Sequence, residues 1–162
     1  MLTIEKKTLA VGKYVTTKHV DSLIRTYKQE RWAQNSARIG KEDSLTVWHS
    51  IEELEEFLQT AKAHGGDGIK FCFAAYPENY TENKDYAGRQ TIVMVATKTK
   101  EQENGLGQRD VYIQNGDSTK ILAYNSGRIC PPICPPPPRP NDIDNPDLGV
   151  AIVNKGEEMV VI

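Results

Sequence analysis

The chain has 162 residues, of which 38% are hydrophobic and 26% are charged, a composition typical of one globular domain with an ordinary core. Its 20 basic and 22 acidic residues give a formal net charge of −2, so no overall charge attracts nucleic acid or an anionic membrane. No stretch approaches the roughly 18 apolar residues of a membrane span. We therefore expect a single domain over residues 1–162, without a nucleic-acid or membrane partner.

The cysteine content indicates a reducing compartment. Cys72, Cys130 and Cys134 are an odd number of thiols and too few for a disulfide-stabilised secreted scaffold. The N-terminal stretch MLTIEKKTLAVGKYV interrupts its apolar residues with charges, whereas a signal peptide needs a continuous apolar run. Both observations predict a cytoplasmic protein.

The first predicted helix begins near residue 17, with Thr16 or Thr17 as its N-cap. Its apolar side chains recur at intervals of three and four residues, as in an amphipathic helix; they are Val20, Leu23, Ile24 and Tyr27. The segment from Lys13 to Lys41 carries seven basic residues and two acidic ones. Without interleaved aromatic residues, these charges indicate a solvated helix face rather than a nucleic-acid surface.

The second predicted helix lies in SIEELEEFLQTAKAHGG and carries clear signals at both ends. Ser50 and Glu53 have the spacing of a capping box. Its apolar stripe is Ile51, Leu54, Phe57, Leu58 and Ala61. Gly65 or Gly66 supplies the left-handed residue that commonly ends a helix.

Alternating apolar residues predict several strands. SLTVWH precedes the second helix, GIKFCFAAY (68–76) indicates a central strand, and a long, mobile loop joins that strand to TIVMVATKT. The Asn104-Gly105 turn leads to DVYIQ, and GVAIVN and EMVVI indicate two C-terminal strands. Without alternating βαβ units, the pattern predicts an α+β fold with two N-terminal helices packed on a mostly antiparallel sheet.

Five segments together resemble a group of small bacterial proteins of unknown function. They are LIRTYKQE, VWHSIEELEEFL, GDGIKFCFAAYPE, TIVMVATK and CPPIC. The resemblance implies a compact α+β domain in a bacterial cell and assigns no activity to any residue.

The motif CPPIC places two thiols four residues apart. In polyproline II geometry, with a rise of about 3.1 Å per residue, the Cα atoms of Cys130 and Cys134 would lie roughly 12 Å apart, whereas a disulfide needs about 4.4–6.8 Å. The sequence therefore favours unpaired thiols, and only a tight turn would join them. One cysteine pair is half of a zinc site, so a thiol-redox or zinc-binding role using Cys130 and Cys134 remains the alternative function.

The prolines support a different hypothesis. Residues 130–140 form a proline-rich surface segment with Ile129 and Ile133 packed inward, and PPPPRP predicts a stiff extended rod. Rigid rods and aromatic side chains lose little entropy on binding. The expected contact surface comprises Tyr76, Tyr80, Tyr86, Pro135, Pro138 and Arg139.

The chain has no nucleotide-binding or catalytic motif. Asp142, Asp144 and Asp147 do not fit the calcium-loop template, because Pro146 and Val153 occupy ligand positions. We therefore expect a non-enzymatic interaction or structural module, without a cofactor, that binds a protein partner or a second copy of itself.

Overall fold

A computed structural model describes residues 10–103, 105–135, 152–155 and 158–161. The helical elements are α1 (Thr17–Tyr27), a π-helical turn (Lys28–Trp32), α2 (Ala33–Ile39) and α3 (Ile51–Ala63). The first three follow one another without a break, so the described residues form two continuous helices. No helix in this described part is both long enough and apolar enough to cross a membrane.

The strands form small antiparallel sheets. They are β1 (Thr46–Trp48), β2 (Gly68–Ala75), β3 (Gln90–Gln102), β4 (Gly105–Asp110), β5 (Tyr112–Asn115), β6 (Ser118–Ile121), β7 (Ala123–Tyr124), β8 (Arg128–Cys130), β9 (Ile152–Lys155) and β10 (Glu158–Val161). The main sheet has the order β2-β3-β4, with β7 also paired to β3, while β1 pairs with β8, β5 with β6 and β9 with β10. The combination of helices with antiparallel sheets agrees with the expected mixed fold.

The helix ends follow from local residues. Thr16 caps α1, and its side chain accepts a hydrogen bond from the His19 N–H at 3.3 Å. Ser50 and Glu53 form both halves of the capping box of α3. After α3, Gly65 has φ +79°, and the Gly66 N–H donates to the Ala61 carbonyl at 2.8 Å. These features confirm the predicted capping box and glycine-terminated helix.

The two helices meet the rest of the fold differently. Phe57 and Ala61 of α3 share a buried cluster with Met94 and Ala96 of β3. No residue of α1 is buried, and Val20 and Leu23 of its apolar stripe are exposed, so the expected packing of this helix on the sheet is not confirmed. The helix is attached at its end, where the Tyr27 hydroxyl donates to Gln90 Oε1 of β3 at 2.6 Å. Beyond it, the indole N–H of Trp32 donates to the Asp43 carbonyl at 2.8 Å.

The position of β2 corrects the expectation of a central strand. All eight residues of β2 pair with β3, and within the described residues no strand pairs with its other side. Apolar alternation occurs in edge and central strands alike, because it reports which faces are buried and not which neighbours are present.

Candidate functional site

The free side of β2 presents main-chain groups in a known order. The Ala96 N–H donates to the Leu122 carbonyl, and the Ala96 carbonyl accepts from the Val111 N–H, both at 2.9 Å. The main-chain polar groups of Ala96 therefore point away from β2. Its register partner Ile69 therefore has no main-chain bond to β3, because bonded and non-bonded pairs alternate along antiparallel strands. By the same alternation, Phe71, Phe73 and Ala75 direct their N–H and C=O groups outward.

We call the outward groups of Ile69, Phe71, Phe73 and Ala75 the β2 edge. Its two aromatic side chains are strongly exposed, Phe71 by 61% and Phe73 by 85%. A strand edge with unpaired main-chain groups and exposed apolar side chains is a ready template for another strand.

The exposed rings lie on the same face of the sheet as the core. Phe71 pairs with Met94 and Phe73 with Ile92 in the register, and directly paired residues share a face. Met94 is buried together with Phe57 of α3. The apolar face therefore continues from the core to β2, where the two rings remain uncovered.

The opposite face of β2 carries its single charged residue. The Lys70 ammonium donates to Asp110 Oδ1 at 2.6 Å, and this hydrogen bond raises the pKa of Lys70 above its ordinary value. Cys72, on the same face, is a free thiol of intermediate exposure. Lys70 is thus positively charged at neutral pH, with its counter-ion in place.

The tyrosines that we expected at a contact surface lie mostly inside the fold. Tyr76 and Tyr86 are buried with Ile129, and Tyr80 is partly buried against them. The ring centroids of Tyr76 and Tyr80 are 4.6 Å apart, and those of Tyr76 and Tyr86 are 5.5 Å apart. The loop between β2 and β3 is therefore packed on the body. Tyr76 and Tyr86 do not present a surface for recognition, because their rings fill a small core of their own.

The CPPIC segment forms a closed turn. Cys130 and Cys134 are joined by a disulfide with their Cα atoms 4.8 Å apart. The Cys130–Pro131 and Pro131–Pro132 peptide bonds are cis. The expected Cα separation was wrong because it assumed an extended trans chain, whereas this segment folds back on itself.

The two ends of this turn have different surroundings. Ile129 is fully buried, and the Cys130 carbonyl accepts from the Leu45 N–H at 2.6 Å. Cys134 is exposed. Ile133 is 45% exposed, so of the two isoleucines expected to pack inward, only Ile129 does. The turn is anchored at Cys130 and open at Cys134.

The proline rod falls largely outside the described residues. Pro135 is exposed at the end of the described stretch, whereas Pro138 and Arg139 lie beyond it. The calcium-loop residues Asp142, Asp144 and Asp147 also lie outside. The rod itself therefore remains a prediction.

The cysteine pair has no further metal ligands beside it among the described residues. There, no group of three or more His, Cys, Asp or Glu side chains is arranged to hold an ion. Zinc binds the thiolate form of cysteine, so the paired sulfur atoms of Cys130 and Cys134 would need reduction before they could serve as ligands.

Comparison with known proteins gave no match: neither a protein-family model, nor a curated protein, nor a solved structure is similar to the chain. The resemblance to small bacterial proteins stays an expectation.

Sequence reasoning missed Phe71 and Phe73 as site residues. Their alternation with Lys70 and Cys72 was visible, but it indicated a central strand, in which neither side would be left unpaired. Strand order is needed to recognise that a residue on the core face of a sheet is uncovered at its edge.

Proposed function

We propose that this protein is a non-enzymatic interaction module that self-associates through the β2 edge. The observation that carries the proposal is a strand edge that no described strand pairs with, which bears two exposed phenylalanines, Phe71 and Phe73. Addition of a strand to such an edge supplies main-chain hydrogen bonds for affinity and side-chain contacts for specificity.

The strand is suited to pair with itself. Antiparallel pairing about a two-fold axis at Cys72 places Phe71 opposite Phe73 of the second copy, and Ile69 opposite Ala75. All four residues whose main-chain groups point outward then lie opposite residues of the same kind, as hydrogen bonding between the strands requires. Shifting the register toward the C-terminus brings Pro77, which has no N–H, opposite Ile69. The pairing centred on Cys72 therefore uses the edge most completely.

Charge favours the same arrangement. Lys70 is the only charged residue of β2, and the register centred on Cys72 places it opposite Ala74 of the second copy. Like charges directly opposite each other would destabilise a strand pair, and this register brings none together. Lys70 keeps its contact with Asp110 on its own chain.

The small contact area indicates a weak dimer. An aromatic side chain buries about 150–250 Å², so two partly exposed rings contribute on the order of 300 Å² per copy, against about 800 Å² for a standard interface. Main-chain hydrogen bonds have to supply much of the remaining stability. We therefore expect a dimer with a Kd on the order of 10 μM, near −7 kcal/mol.

Analytical ultracentrifugation of the full chain tests this proposal. We expect dimers in the wild type and monomers in the double variant F71T/F73T, because threonine keeps strand propensity and removes both rings. L106T is the matched control, since Leu106 is an exposed apolar residue on β4 at the opposite side of the sheet.

Two outcomes would overturn the proposal. One is a wild type that stays monomeric at about ten times the expected Kd, where most chains should be paired. The other is a double variant that dimerises as the wild type does.

The disulfide favours a second candidate function, in thiol–disulfide exchange. Cys130 is 6% exposed and Cys134 is exposed, so an external thiolate reaches Cys134 first. In that reaction the thiolate bonds to the Cys134 sulfur, the disulfide breaks, and Cys130 leaves as a thiolate and takes up a proton. A second external thiol then releases Cys134, and the two external thiols leave as a disulfide.

This candidate is tested by equilibrating the protein with glutathione redox buffers and measuring the fraction of oxidised protein by mass spectrometry after alkylation. We expect a two-electron transition in the wild type and none in C134S. A pair that stays oxidised at every glutathione ratio would indicate a structural disulfide instead.

A further inference from the structure

A second feature, separate from the β2 edge, is a cleft at the end of the main sheet. Its volume is about 590 Å³, within the range of about 300–1,000 Å³ typical of small-molecule sites. The cleft lies where α3 ends beside β3 and β4. Its polar lining residues include His64, Lys70, Lys98, Lys100, Arg109 and Tyr112.

Three of the cationic residues lie on one face of the sheet, at positions set by the register of β3 and β4. Lys98 is directly opposite Arg109, and Lys100 is opposite Gly107. Residues two apart on a strand share a face and lie about 7 Å apart, so Lys98, Lys100 and Arg109 form a compact group. Like charges directly opposite each other destabilise a strand pair.

No ion pair on the described chain involves this group. Within the described residues, Lys98, Lys100 and Arg109 make no ion pair or side-chain hydrogen bond. Asp110 lines the cleft, but its carboxylate contacts Lys70 at 2.6 Å. Glu101 is opposite Leu106 and alternates with Lys100, so it lies on the other face of the sheet.

The carboxyl end of α3 supplies only the partial negative charge of a helix terminus. The Ala61 carbonyl accepts from Gly66 and the Lys62 carbonyl from Gly65, so the last turn is closed by hydrogen bonds. His64 Nδ1 lies 2.9 Å from the Thr60 carbonyl, which assigns its N–H to that bond. Lys98 reaches this end of the helix: a methyl group at Gly65 would lie 3.4 Å from its Nζ.

We propose that this cleft binds a small molecule through a di- or oligophosphate group. Three cationic residues whose backbone positions lie within about 8 Å of one another, without an ion pair, match the clustered charge of such a group. The Arg109 guanidinium supplies a planar fork for phosphoryl oxygens, and the two lysines supply further N–H donors. Tyr112, which is 60% exposed, offers a ring at the rim for the remainder of the ligand.

Isothermal titration of the full chain with inorganic pyrophosphate tests the proposal. We expect a Kd on the order of 100 μM, weakening with salt because the site is open to solvent. R109Q and K98Q should each weaken binding by about tenfold or more, equivalent to about 1.4 kcal/mol. K120Q is the matched control, because Lys120 is an exposed lysine on β6 outside the cleft.

Thermal unfolding separates a binding role from a structural one. Removing one of two opposed like charges should leave R109Q at least as stable as the wild type, so its loss of affinity would not reflect unfolding. Citrate, a polyanion without phosphorus, should bind at least tenfold more weakly than pyrophosphate.

Three results would overturn this assignment. They are no heat of binding at either of two temperatures at about 5 mM pyrophosphate, a concentration that would saturate even a weak site; equal binding by wild type and R109Q; or equal binding of citrate and pyrophosphate. None of them bears on dimerisation through β2.

Discussion

The Tyr124 hydroxyl donates a hydrogen bond to Glu53 Oε1 at 3.0 Å. The other carboxylate oxygen of Glu53 accepts from the Ser50 main-chain N–H at 2.9 Å. One side chain therefore caps α3 and ties the start of that helix to β7. Glu53 thus takes part both in the local capping box and in a contact with a residue 71 positions away.

The Glu53 contacts make stability depend on pH. Hydrogen bonds from the Ser50 main chain, from Tyr124 and from the Ser50 hydroxyl lower the pKa of Glu53 below its ordinary value. Their contribution is complete above the ordinary pKa of about 4.3 and is lost as pH falls through the lowered pKa. In urea titrations at several pH values, E53Q should therefore lose less stability on acidification than the wild type. E55Q, on an exposed part of the same helix, should follow the wild type, and identical pH profiles for E53Q and wild type would contradict the argument.

Gly127 has no space for a side chain. A methyl group there would lie 2.5 Å from both His49 Nε2 and Val47 Cγ1. We expect G127A to lower the free energy of unfolding by about 1–3 kcal/mol through overpacking. G12A is the control, because a methyl group at Gly12 meets no atom within 4 Å. Chemical denaturation measures both variants, and equal stabilities would show that the β1–β8 region adjusts without cost.

Lys28 is buried in the π-helical turn. It is 6% exposed, and its Nζ has no hydrogen-bond partner among the described residues. We expect K28M to raise the free energy of unfolding by about 1 kcal/mol, because methionine keeps the stem and removes a buried charge. K18M, at an exposed position of α1, should change it little. A K28M protein less stable than K18M would indicate that the ammonium has a stabilising partner.

Burial, and then the nearby Arg25 charge, lowers the pKa of Lys28. The unfolded chain therefore holds this proton to higher pH than the folded chain does. Wild-type stability should rise as pH increases from the lowered pKa toward the ordinary value of about 10.4. K28M should lack this component in denaturation curves between these values.

The Cys130–Cys134 disulfide closes a very short loop. Loop-closure entropy for about five residues corresponds to roughly 2 kcal/mol, so C134A should be less stable than the wild type by about that amount. A reductant should lower wild-type stability equally and leave C134A unchanged. C72A is the control, because Cys72 is the free thiol. A wild type indifferent to reductant in urea titrations would show that the anchored Ile129 holds this turn without the bond.

The proposed strand pairing places Cys72 opposite Cys72 of the second copy. This is a non-hydrogen-bonded pair with Cα atoms about 4.5 Å apart, within disulfide range. Mild oxidation should give a covalent dimer on a non-reducing gel, and C72S should not. K70C in the C72S background is the register control, since Lys70 faces Ala74 in this pairing. Cross-linking through K70C as efficient as through Cys72 would exclude the register.

The sequence by itself determined the local elements. The capping box of Ser50 and Glu53, the glycine end of α3 and the alternation that forms β2 each depend on residues a few positions apart. Such signals act through short-range hydrogen bonds and side-chain direction, so they survive without knowledge of the neighbours.

Tertiary structure decided which of these residues meet solvent and which meet each other. Phe71 and Tyr76 are both aromatic residues in or next to β2, yet Phe71 is exposed at a sheet edge and Tyr76 is buried. Lys98 and Arg109 become neighbours only through the register of β3 and β4. Burial and charge clustering arise from strand order and chain reversal, which join residues distant in sequence, and the local pattern of either partner does not contain them.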